Sequence, residues 1–315
     1  MPGEPCRRVT VVIPAYNAES YIGAALGSIA AQTLRDVEVV LVDDGSSDGT
    51  IKEAERFVDV LDLKIIRQAN TGPAAARNRG IGQARGRFCA FLDADDIMLP
   101  ERLQEQAAVL EAKPDLGLVY SDLMTFAEAG VIHRTRRAFS DPCGGAILDR
   151  LLLDNFITTS TVMAPTERLR AAGCFNERRR ISEDFELWLR MAARWEVGFI
   201  ERPLVRYRRR PGSLSGDKLV AGLAALEVVE AFWLEHIEYR RSHLGVCRKS
   251  LARHMSVVGA AALSQGKRGT ALSYLLRALA REPGNLNTWK RLVKLSLVAG
   301  HRAKSGLAAD SKEIA

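Results

Sequence analysis

Short apolar runs and helical patterns alternate along the first hundred residues of the chain. Four largely apolar runs predict strands, over residues 9–13, 37–42, 63–66 and 87–92. The second run is almost wholly apolar, as a strand covered on both faces should be. The runs therefore predict four strands of one buried sheet.

Segments with helical spacing separate these strands. Apolar residues recur every three or four positions after Ser20, which we expect to cap the first helix. A second helix follows Thr50, and Pro73 stands where a third can begin. This βαβα order predicts an α/β fold with a mostly parallel, doubly wound sheet.

The character of the chain changes after Ser215 to Ala- and Leu-rich helix. Apolar residues share helical spacing over more than four turns from Leu219 to Ile237. We therefore expect one α/β domain in residues 1–215 and a helical region in residues 216–315.

The helical region contains a pattern of small and apolar residues that fits a tetratricopeptide-like helical hairpin. The residues that carry it are Gly259, Ala262, Ala271, Leu275, Ala278 and Pro283. A next helix would carry Trp289 and Leu292. Since so few repeats cannot stand alone, we expect the region to pack on the first domain or on a partner. A plain helical extension without repeat ancestry explains the pattern equally well.

Composition and charge are those of an ordinary globular protein with a basic balance. The 315 residues are 47% hydrophobic and 26% charged, with a net charge of +7. Basic clusters at residues 134–137, 178–180 and 206–210 could meet nucleic acid, anionic lipid or a phosphorylated substrate, or could be a solvated face. They lack interleaved aromatics and no recognition motif is present, which argues against nucleic acid.

Cysteine usage and hydropathy predict a cytoplasmic protein. The chain has five scattered cysteines, an odd number, and no CxxC pair for zinc or redox chemistry. No segment approaches the roughly 18 to 20 apolar residues of a membrane span. The first residues do not form a signal peptide, because the apolar stretch after Arg8 is short and ends at Pro14.

Two clusters of aspartates follow predicted strands. Asp43 and Asp44 come after the second strand, and Asp93, Asp95 and Asp96 come after the fourth. The carboxyl ends of parallel strands open onto one edge, where ligands bind, so the clusters should share one crevice. Aspartate is also common in turns and at helix starts, but two clusters directly after buried strands favour a site.

The known phosphate-binding loops are missing from this edge. The residues after the first strand match neither GxGxxG nor GxxxxGK[ST], which excludes a dinucleotide dehydrogenase and a P-loop nucleotidase. What remains is a nucleotide site that neutralises phosphate through a metal held by carboxylates.

Six motifs in order resemble the family 2 glycosyltransferases of the GT-A fold, over about residues 8–215. They read VVIPAYN at 11–17, VDDGSSDGT at 42–50, GPAAARN at 72–78, FLDADD at 91–96, GCFNE at 173–177 and EDFELWLR at 183–190. The resemblance implies a GT-A catalytic domain that transfers a hexose from a nucleoside-diphosphate sugar, most simply a UDP-sugar, with inversion.

The resemblance also implies a nucleotide site. Its residues would be Pro14, Ala15, Tyr16, Asn17, Asp43, Asp44, Arg77, Asp93, Ala94 and Arg210. Tyr16 would pack on the nucleobase, although a lone tyrosine there could equally be a core aromatic. Asp44, helped by Asp43, would accept hydrogen bonds from the uracil or ribose, and Arg77 would contact the base or a phosphate.

Metal and base follow from the same resemblance. Asp95 would bind Mn²⁺ or Mg²⁺ directly, and Asp93 would bind ribose or a metal-bound water. Asp184, next to Glu183, would be the general base that removes the acceptor hydroxyl proton. Acidic residues are also common at a helix start, which explains this pair equally well without the other motifs.

One position departs from the family pattern. Arg210 stands where the family often has a histidine, and because arginine cannot ligate a metal, a third protein ligand is in doubt. Arg210 could instead pair with the donor diphosphate. The QxxRW signature of polymerising members is missing, which favours transfer of single sugars.

The resemblance suggests acceptors and a place of work. Relatives assemble bacterial surface glycans and polysaccharides on glycan or lipid-linked acceptors, some at the inner face of the plasma membrane. The arginines at 206 and 208–210 suggest peripheral contact with anionic lipid there, although they could serve only the donor diphosphate. Two other functions stay open: a sugar-1-phosphate nucleotidyltransferase, which should have a Gly-rich basic loop after the first strand, and a non-catalytic nucleotide-sugar-binding scaffold.

Overall fold

A computed structural model describes the backbone of residues 8–127, 132–135, 142–210 and 216–295. By its internal contacts the chain divides into two compact units. The first contains residues 1–151 and 155–213, and the second contains residues 152–154 and 214–315.

The first unit is built on a mixed sheet. Its strands are β1 (Val9–Ala15), β2 (Val37–Asp43), β3 (Asp62–Arg67), β4 (Phe88–Phe91), β5 (Ile97–Met98), β6 (Leu118–Phe126), β7 (Ile132–Thr135), β8 (Val162–Pro165) and β9 (Val197–Arg208). Their order in the sheet is β3-β2-β1-β4-β8-β6-β9-β5, with β7 paired to β6. The strands β1 to β4 pair in parallel with one another, as predicted. Strand β8 runs antiparallel to both β4 and β6, so the sheet is mixed beyond β4.

Helices connect the strands of this sheet. They are α1 (Glu19–Ala30), α2 (Thr50–Glu55), α3 (Pro73–Gln83), α4 (Arg102–Ala112), α5 (Leu148–Leu153), α6 (Thr166–Ala171) and α7 (Glu183–Ala192), with a short 3-10 helix at Thr159–Thr161. Pro73 begins α3 as predicted, because its missing N–H lies among the groups that a first helical turn leaves unbonded.

The two faces of β2 show that the sheet is covered on both sides. Val39 and Leu41 pack in one cluster with Ile22 of α1, whereas Val40 pairs in another with Ala76 of α3. Successive strand residues point to opposite faces, so α1 and α3 cover opposite faces of the sheet. The predicted doubly wound α/β arrangement is confirmed.

The start of α1 differs from the prediction. The helix begins at Glu19, so Ser20 lies inside it and Ala18 precedes it without a side-chain cap. The backbone N–H of Ala18 donates instead to Thr50 Oγ1 at 2.7 Å, and that of Glu19 donates to Asp48 at 3.1 Å. Side chains of the loop after β2 thus satisfy donors that a helix start leaves unbonded.

The second unit is helical. It contains α8 (Lys218–Glu235), α9 (Ile237–Ser242), α10 (Leu244–Ser264), α11 (Arg268–Arg281) and a helical segment over residues 286–295. The long helix predicted through Ile237 ends at Glu235, and Ile237 starts the next helix. Among the described residues, no helix combines the length and apolar character of a membrane span.

Small residues set the packing of α10 against α11. A Cβ added at Gly259 would lie 2.7 Å from Leu275 Cγ, closer than real Cβ contacts come. Ala262, Ala271 and Ala278 are buried in the same core. The predicted helical hairpin is therefore present, while its relation to tetratricopeptide repeats stays a prediction.

Candidate active site

The loops after β1 and β2 are tied together at the carboxyl edge of the sheet. Asn17 Oδ1 accepts a hydrogen bond from the Ser47 N–H at 2.9 Å, and the Asn17 N–H donates to Ser46 Oγ at 2.9 Å. Asn17 adopts a left-handed backbone conformation with φ 46°, which asparagine tolerates better than most residues. Tyr16, just before it, leaves 52% of its surface exposed. A half-exposed ring at this edge is available for stacking.

Asp44 is buried and holds the next loop in place. Its Oδ1 accepts from the Thr71 N–H at 2.9 Å and from Gln68 Nε2 at 2.8 Å, and its Oδ2 accepts from the Gly72 N–H at 2.8 Å. Asp43, also buried, accepts weakly from the Ser46 N–H at 3.3 Å. Both aspartates therefore organise loops at this edge, and their contact with a nucleotide stays a prediction.

Arg77 on α3 lies between two carboxylates from distant parts of the chain. Its Nη2 donates to Asp93 Oδ1 and its Nη1 donates to Glu183 Oε1, each at 2.7 Å. The side chain is buried, and although burial lowers the pKa of the guanidinium, Asp93 and Glu183 raise it well above its ordinary value. Arg77 thus connects the loop after β4 (residues 92–96, the aspartate loop) to the start of α7. A contact of Arg77 with the base or a phosphate stays a prediction.

Asp95 is held by an arginine. The Arg210 Nε donates to Asp95 Oδ2 at 2.6 Å, and the Arg208 Nε donates to the Asp95 carbonyl at 2.9 Å. Burial and the neighbouring Asp93 raise the pKa of the Asp95 carboxyl, and Arg210 offsets part of this rise. Arg210 therefore lies at the carboxylate proposed to bind a metal.

Asp96 is the most buried carboxylate of the loop. One of its oxygens accepts from the Arg208 N–H at 2.9 Å. Burial, and then repulsion from Asp93 and Asp95, raise its pKa well above the ordinary range. Asp96 thus fixes the end of β9 against the aspartate loop.

The carboxylates of this edge fit a divalent ion that shares its ligands with a substrate. In the part of the chain that the structure describes, no three His, Cys, Asp or Glu side chains converge on one point. Asp95, with Asp93 beside it, offers hard oxygen ligands of the kind that Mg²⁺ and Mn²⁺ bind together with substrate phosphates. The donor set is too small for a purely protein-held metal and suits one completed by a diphosphate.

Glu183 and Asp184 begin α7 after a strained residue. Ser182 has a left-handed backbone with φ 62°. Such a conformation costs on the order of 1 kcal/mol in a residue other than glycine. It aims the first helical turn so that Glu183 meets Arg77, while Asp184 Oδ2 accepts from Thr159 Oγ1 at 3.0 Å. Burial raises the pKa of Asp184, and Arg77 and the Thr159 hydroxyl partly offset this.

Four further side chains belong to this site that the motifs did not indicate. Thr159 contacts Asp184, and Ser160 Oγ accepts from the Asp93 N–H at 3.0 Å. The Tyr207 hydroxyl has a raised pKa, mainly from burial and then from Asp96, Asp93, Asp95 and Asp184. Arg208 and Arg210 lie over the ring of Tyr21, at 5.0 and 5.5 Å from its centre. The sequence signal that could have indicated Thr159 and Ser160 is the Thr-Thr-Ser-Thr run at 158–161, but such a run is common in loops.

A protein-family model assigns the chain that carries this site to a family. The model of glycosyl transferase family 2 matches residues 10–183, which is more than half of the chain. The chain belongs to glycosyl transferase family 2. This confirms the family that the six motifs indicated.

Relatives and solved structures agree with this assignment. An uncharacterized glycosyltransferase of Haemophilus influenzae is 28% identical over 253 residues, 77% of each chain. One of Rickettsia felis is 29% identical over 207 residues, 65% of this chain and 34% of that protein. The chain spans about a third of the length of the relatives from Rickettsia felis and Rickettsia conorii.

Solved structures show the same fold at low identity. TarS of S. aureus, solved with UDP-GlcNAc, matches with a TM-score of 0.59 and 18% identity, over 88% of this chain and 92% of that one. The mannosyltransferase PcManGT of Pyrobaculum calidifontis, solved with GDP-Man and Mn²⁺, matches with a TM-score of 0.58 and 21% identity, over 96% and 84%. The predicted GT-A fold is confirmed.

Proposed function

We propose that this chain is a metal-dependent inverting glycosyltransferase that moves one sugar from a nucleoside-diphosphate donor, most simply a UDP-sugar, to an acceptor hydroxyl. The observation that carries the proposal is the position of Arg77. It bonds at 2.7 Å both to Asp93 of the donor-side loop and to Glu183, the neighbour of Asp184. A single buried guanidinium thereby fixes the donor side of the site relative to the candidate base.

On the donor side, the exposed ring of Tyr16 packs on the nucleobase, with Pro14, Ala15 and Asn17 shaping the turn beneath it. Asp44 and Asp43 hold this edge and contact the base or ribose. Asp95, with Asp93, would hold a Mg²⁺ or Mn²⁺ ion. When bound, that ion supplies neutralisation of the charge that builds on the diphosphate leaving group.

Arg210 stands where the family often has a histidine. It therefore places a positive charge, in addition to that of the metal ion, where a metal ligand would be. It bonds to Asp95 at 2.6 Å. The same guanidinium would suit the donor diphosphate, because it can bind phosphate through two parallel hydrogen bonds. This supports the prediction that Arg210 contacts the nucleotide.

On the acceptor side, Asp184 removes the proton of the attacking hydroxyl. Thr159 occupies one of its oxygens, and Phe185 donates its N–H to the other at 2.7 Å. These bonds hold the carboxylate in one orientation and favour its ionised form. Attack opposite the leaving diphosphate then inverts the anomeric carbon.

The acceptor is a glycan or a lipid-linked glycan of bacterial surface assembly, and the enzyme works in the cytoplasm. A partner bound through the helical region is part of the same proposal, since few repeat-like hairpins stand alone. We keep these parts as predictions that rest on the family.

A donor screen tests the proposal. A panel of nucleotide sugars is added with Mn²⁺, and thermal unfolding is followed. A donor at a hundred times its Kd should stabilise the protein by about 2.7 kcal/mol. Asp95→Ala should abolish transfer and make nucleoside-diphosphate binding insensitive to Mn²⁺, whereas the exposed control Asp115→Ala should change neither. Undiminished, Mn²⁺-stimulated transfer by Asp95→Ala would overturn the metal assignment.

A further inference from the structure

The net positive charge of the chain comes from residues 216–315, the predicted helical region. Residues 216–315 contain 16 lysines and arginines against 8 aspartates and glutamates, a net charge of +8. Residues 1–215 contain 29 against 30, a net charge of −1. The basic balance is therefore a property of the chain after residue 215. A charge so divided between two halves of a chain indicates an anionic partner for one of them.

The helical segment 286–295 exposes an apolar stripe beside lysines. Leu286, Trp289 and Val293 are 73%, 50% and 55% exposed. Their spacing of three and four residues places them on one side of the helix. Lys290 and Lys294 are exposed next to this stripe, while Thr288 and Leu295 are buried on the opposite side. The helix therefore has two apolar sides. One packs in the core of the helical unit, and the other is exposed to solvent.

This composition is typical of a surface that binds in the headgroup region of a bilayer. It combines aliphatic side chains, a tryptophan and flanking lysines. The tryptophan ring suits the interface, and lysines extend along apolar surface while their ammonium groups meet anionic headgroups. A second copy of this surface would bring like charges together. Nucleic acid would use the charge but not the aliphatic stripe.

We propose that the 286–295 stripe docks this protein on an anionic membrane surface. The proposal goes beyond the transfer reaction and does not depend on it. It also moves the membrane contact away from the arginines at 206–210. Arg206 and Arg208 lie over Phe126, at 4.9 and 4.4 Å from its ring centre, and Arg210 is paired with Asp95. These three side chains are engaged within their own unit, whereas Lys290 and Lys294 are exposed.

Vesicle binding by the full chain tests the proposal with two readouts. Vesicles of phosphatidylcholine with phosphatidylglycerol are compared with pure phosphatidylcholine, at low and high salt, by sedimentation and by tryptophan emission. We expect binding to the anionic vesicles at low salt, release at high salt, and a blue shift of the emission. The shift should come from Trp289, because Trp188 and Trp233 are already buried and the half-buried Trp195 lies in the other unit, with Arg168 and Arg194 over its ring. Trp289→Phe should therefore sediment normally and lose most of the shift.

Surface variants separate the stripe from the overall charge. Lys290→Gln/Lys294→Gln should weaken binding about tenfold or more. The control Lys52→Gln/Lys113→Gln removes the same charge from exposed positions of the catalytic unit and should bind as the wild type. Leu286→Ser/Val293→Ser should also weaken binding, and the control Val60→Ser should not. Circular dichroism confirms that each variant is folded.

Three results would overturn the proposal. The first is no binding to anionic vesicles at low salt. The second is equal weakening by the stripe variants and their controls. The third is that the stripe variants lose RNA binding or self-association but still bind vesicles as the wild type does. The donor-induced thermal shift is measured on the same samples, so a failed membrane contact is distinguished from a failed assignment of the transfer reaction.

Discussion

The two units of this chain treat charge in opposite ways. The catalytic unit is nearly neutral overall but buries charged groups at the edge of its sheet, where Arg77 alone compensates two carboxylates. The helical unit carries the excess positive charge, mostly on exposed side chains, and packs its core with small residues such as Gly259 and Ala271. Buried charge requires a partner at each group, whereas exposed charge does not. The proposed transfer chemistry thus rests on buried charges, and the proposed membrane contact rests on exposed ones.

Removing Arg77 should have the largest effect on stability. Arg77→Met leaves Asp93 and Glu183 without their cation, which should lower the free energy of unfolding by about 3 to 5 kcal/mol. Urea unfolding measures this. Arg253→Met removes the exposed ion pair with Asp154 in the helical unit and should cost less than about 1 kcal/mol. Similar losses from both variants would contradict the contrast between the two units.

Removing the base should affect rate rather than binding. Asp184→Asn keeps the shape of the side chain but not its proton affinity, so turnover should fall about a hundredfold or more. The donor Kd, measured by calorimetry, should stay near the wild-type value. Equal losses in donor affinity and turnover would point to a structural role at the start of α7.

A glycine pair measures how tightly the helical unit is packed. A Cβ at Gly259 would meet Leu275, whereas a Cβ at Gly269 on α11 meets nothing within 4 Å. Both changes to alanine add the same helix propensity. Gly259→Ala should therefore be less stable than Gly269→Ala by about 1 to 3 kcal/mol in urea unfolding, with donor binding unchanged in both. Equal stability would show that Leu275 moves aside without cost.

The smallest effect concerns the pH dependence of the base. Asp184 must be ionised to accept a proton, and its pKa is already raised, chiefly by burial, so turnover should fall as the pH drops through that pKa. Thr159→Val removes a hydrogen bond to the ionised form and raises the pKa further, so the acidic loss of turnover should begin at a higher pH. Thr159→Ser should restore the profile. An unchanged profile in Thr159→Val would contradict the proposed role of the hydroxyl.

The sequence was most informative where a pattern repeats. The strands β1, β2 and β4 follow from short apolar runs because they are buried, whereas β3 was predicted although it lies at the end of the sheet and is only partly buried. Strand β8 could not be predicted as the antiparallel member between β4 and β6, because its four residues Val162–Pro165 have no distinguishing pattern. Nor could the helix start at Glu19, because its donors are satisfied by Asp48 and Thr50 from another loop.

The candidate site was predictable as a set of positions but not as a network. The motifs brought Asp95, Asp184 and Arg77 to notice, yet gave no sign that Arg77 bonds to Asp93 and Glu183. Those bonds join residues 16 and 106 positions apart in the chain. Thr159 was missed for the same reason, since its role exists only where the 3-10 helix meets α7. Long-range side-chain contacts require the fold before they can be inferred.

The configuration of the sugar that the enzyme first releases tests most directly whether this chain is an inverting glycosyltransferase. Slow transfer to water needs no acceptor, so the donor found in the screen is incubated with enzyme and Mn²⁺ and followed by proton NMR. An inverting enzyme should convert an α-linked donor into the β-anomer of the free sugar before mutarotation mixes the two. Asp184→Asn should bind the same donor and release far less sugar. Early appearance of the α-anomer would contradict inversion, and undiminished release by Asp184→Asn would contradict the role of Asp184 as the base.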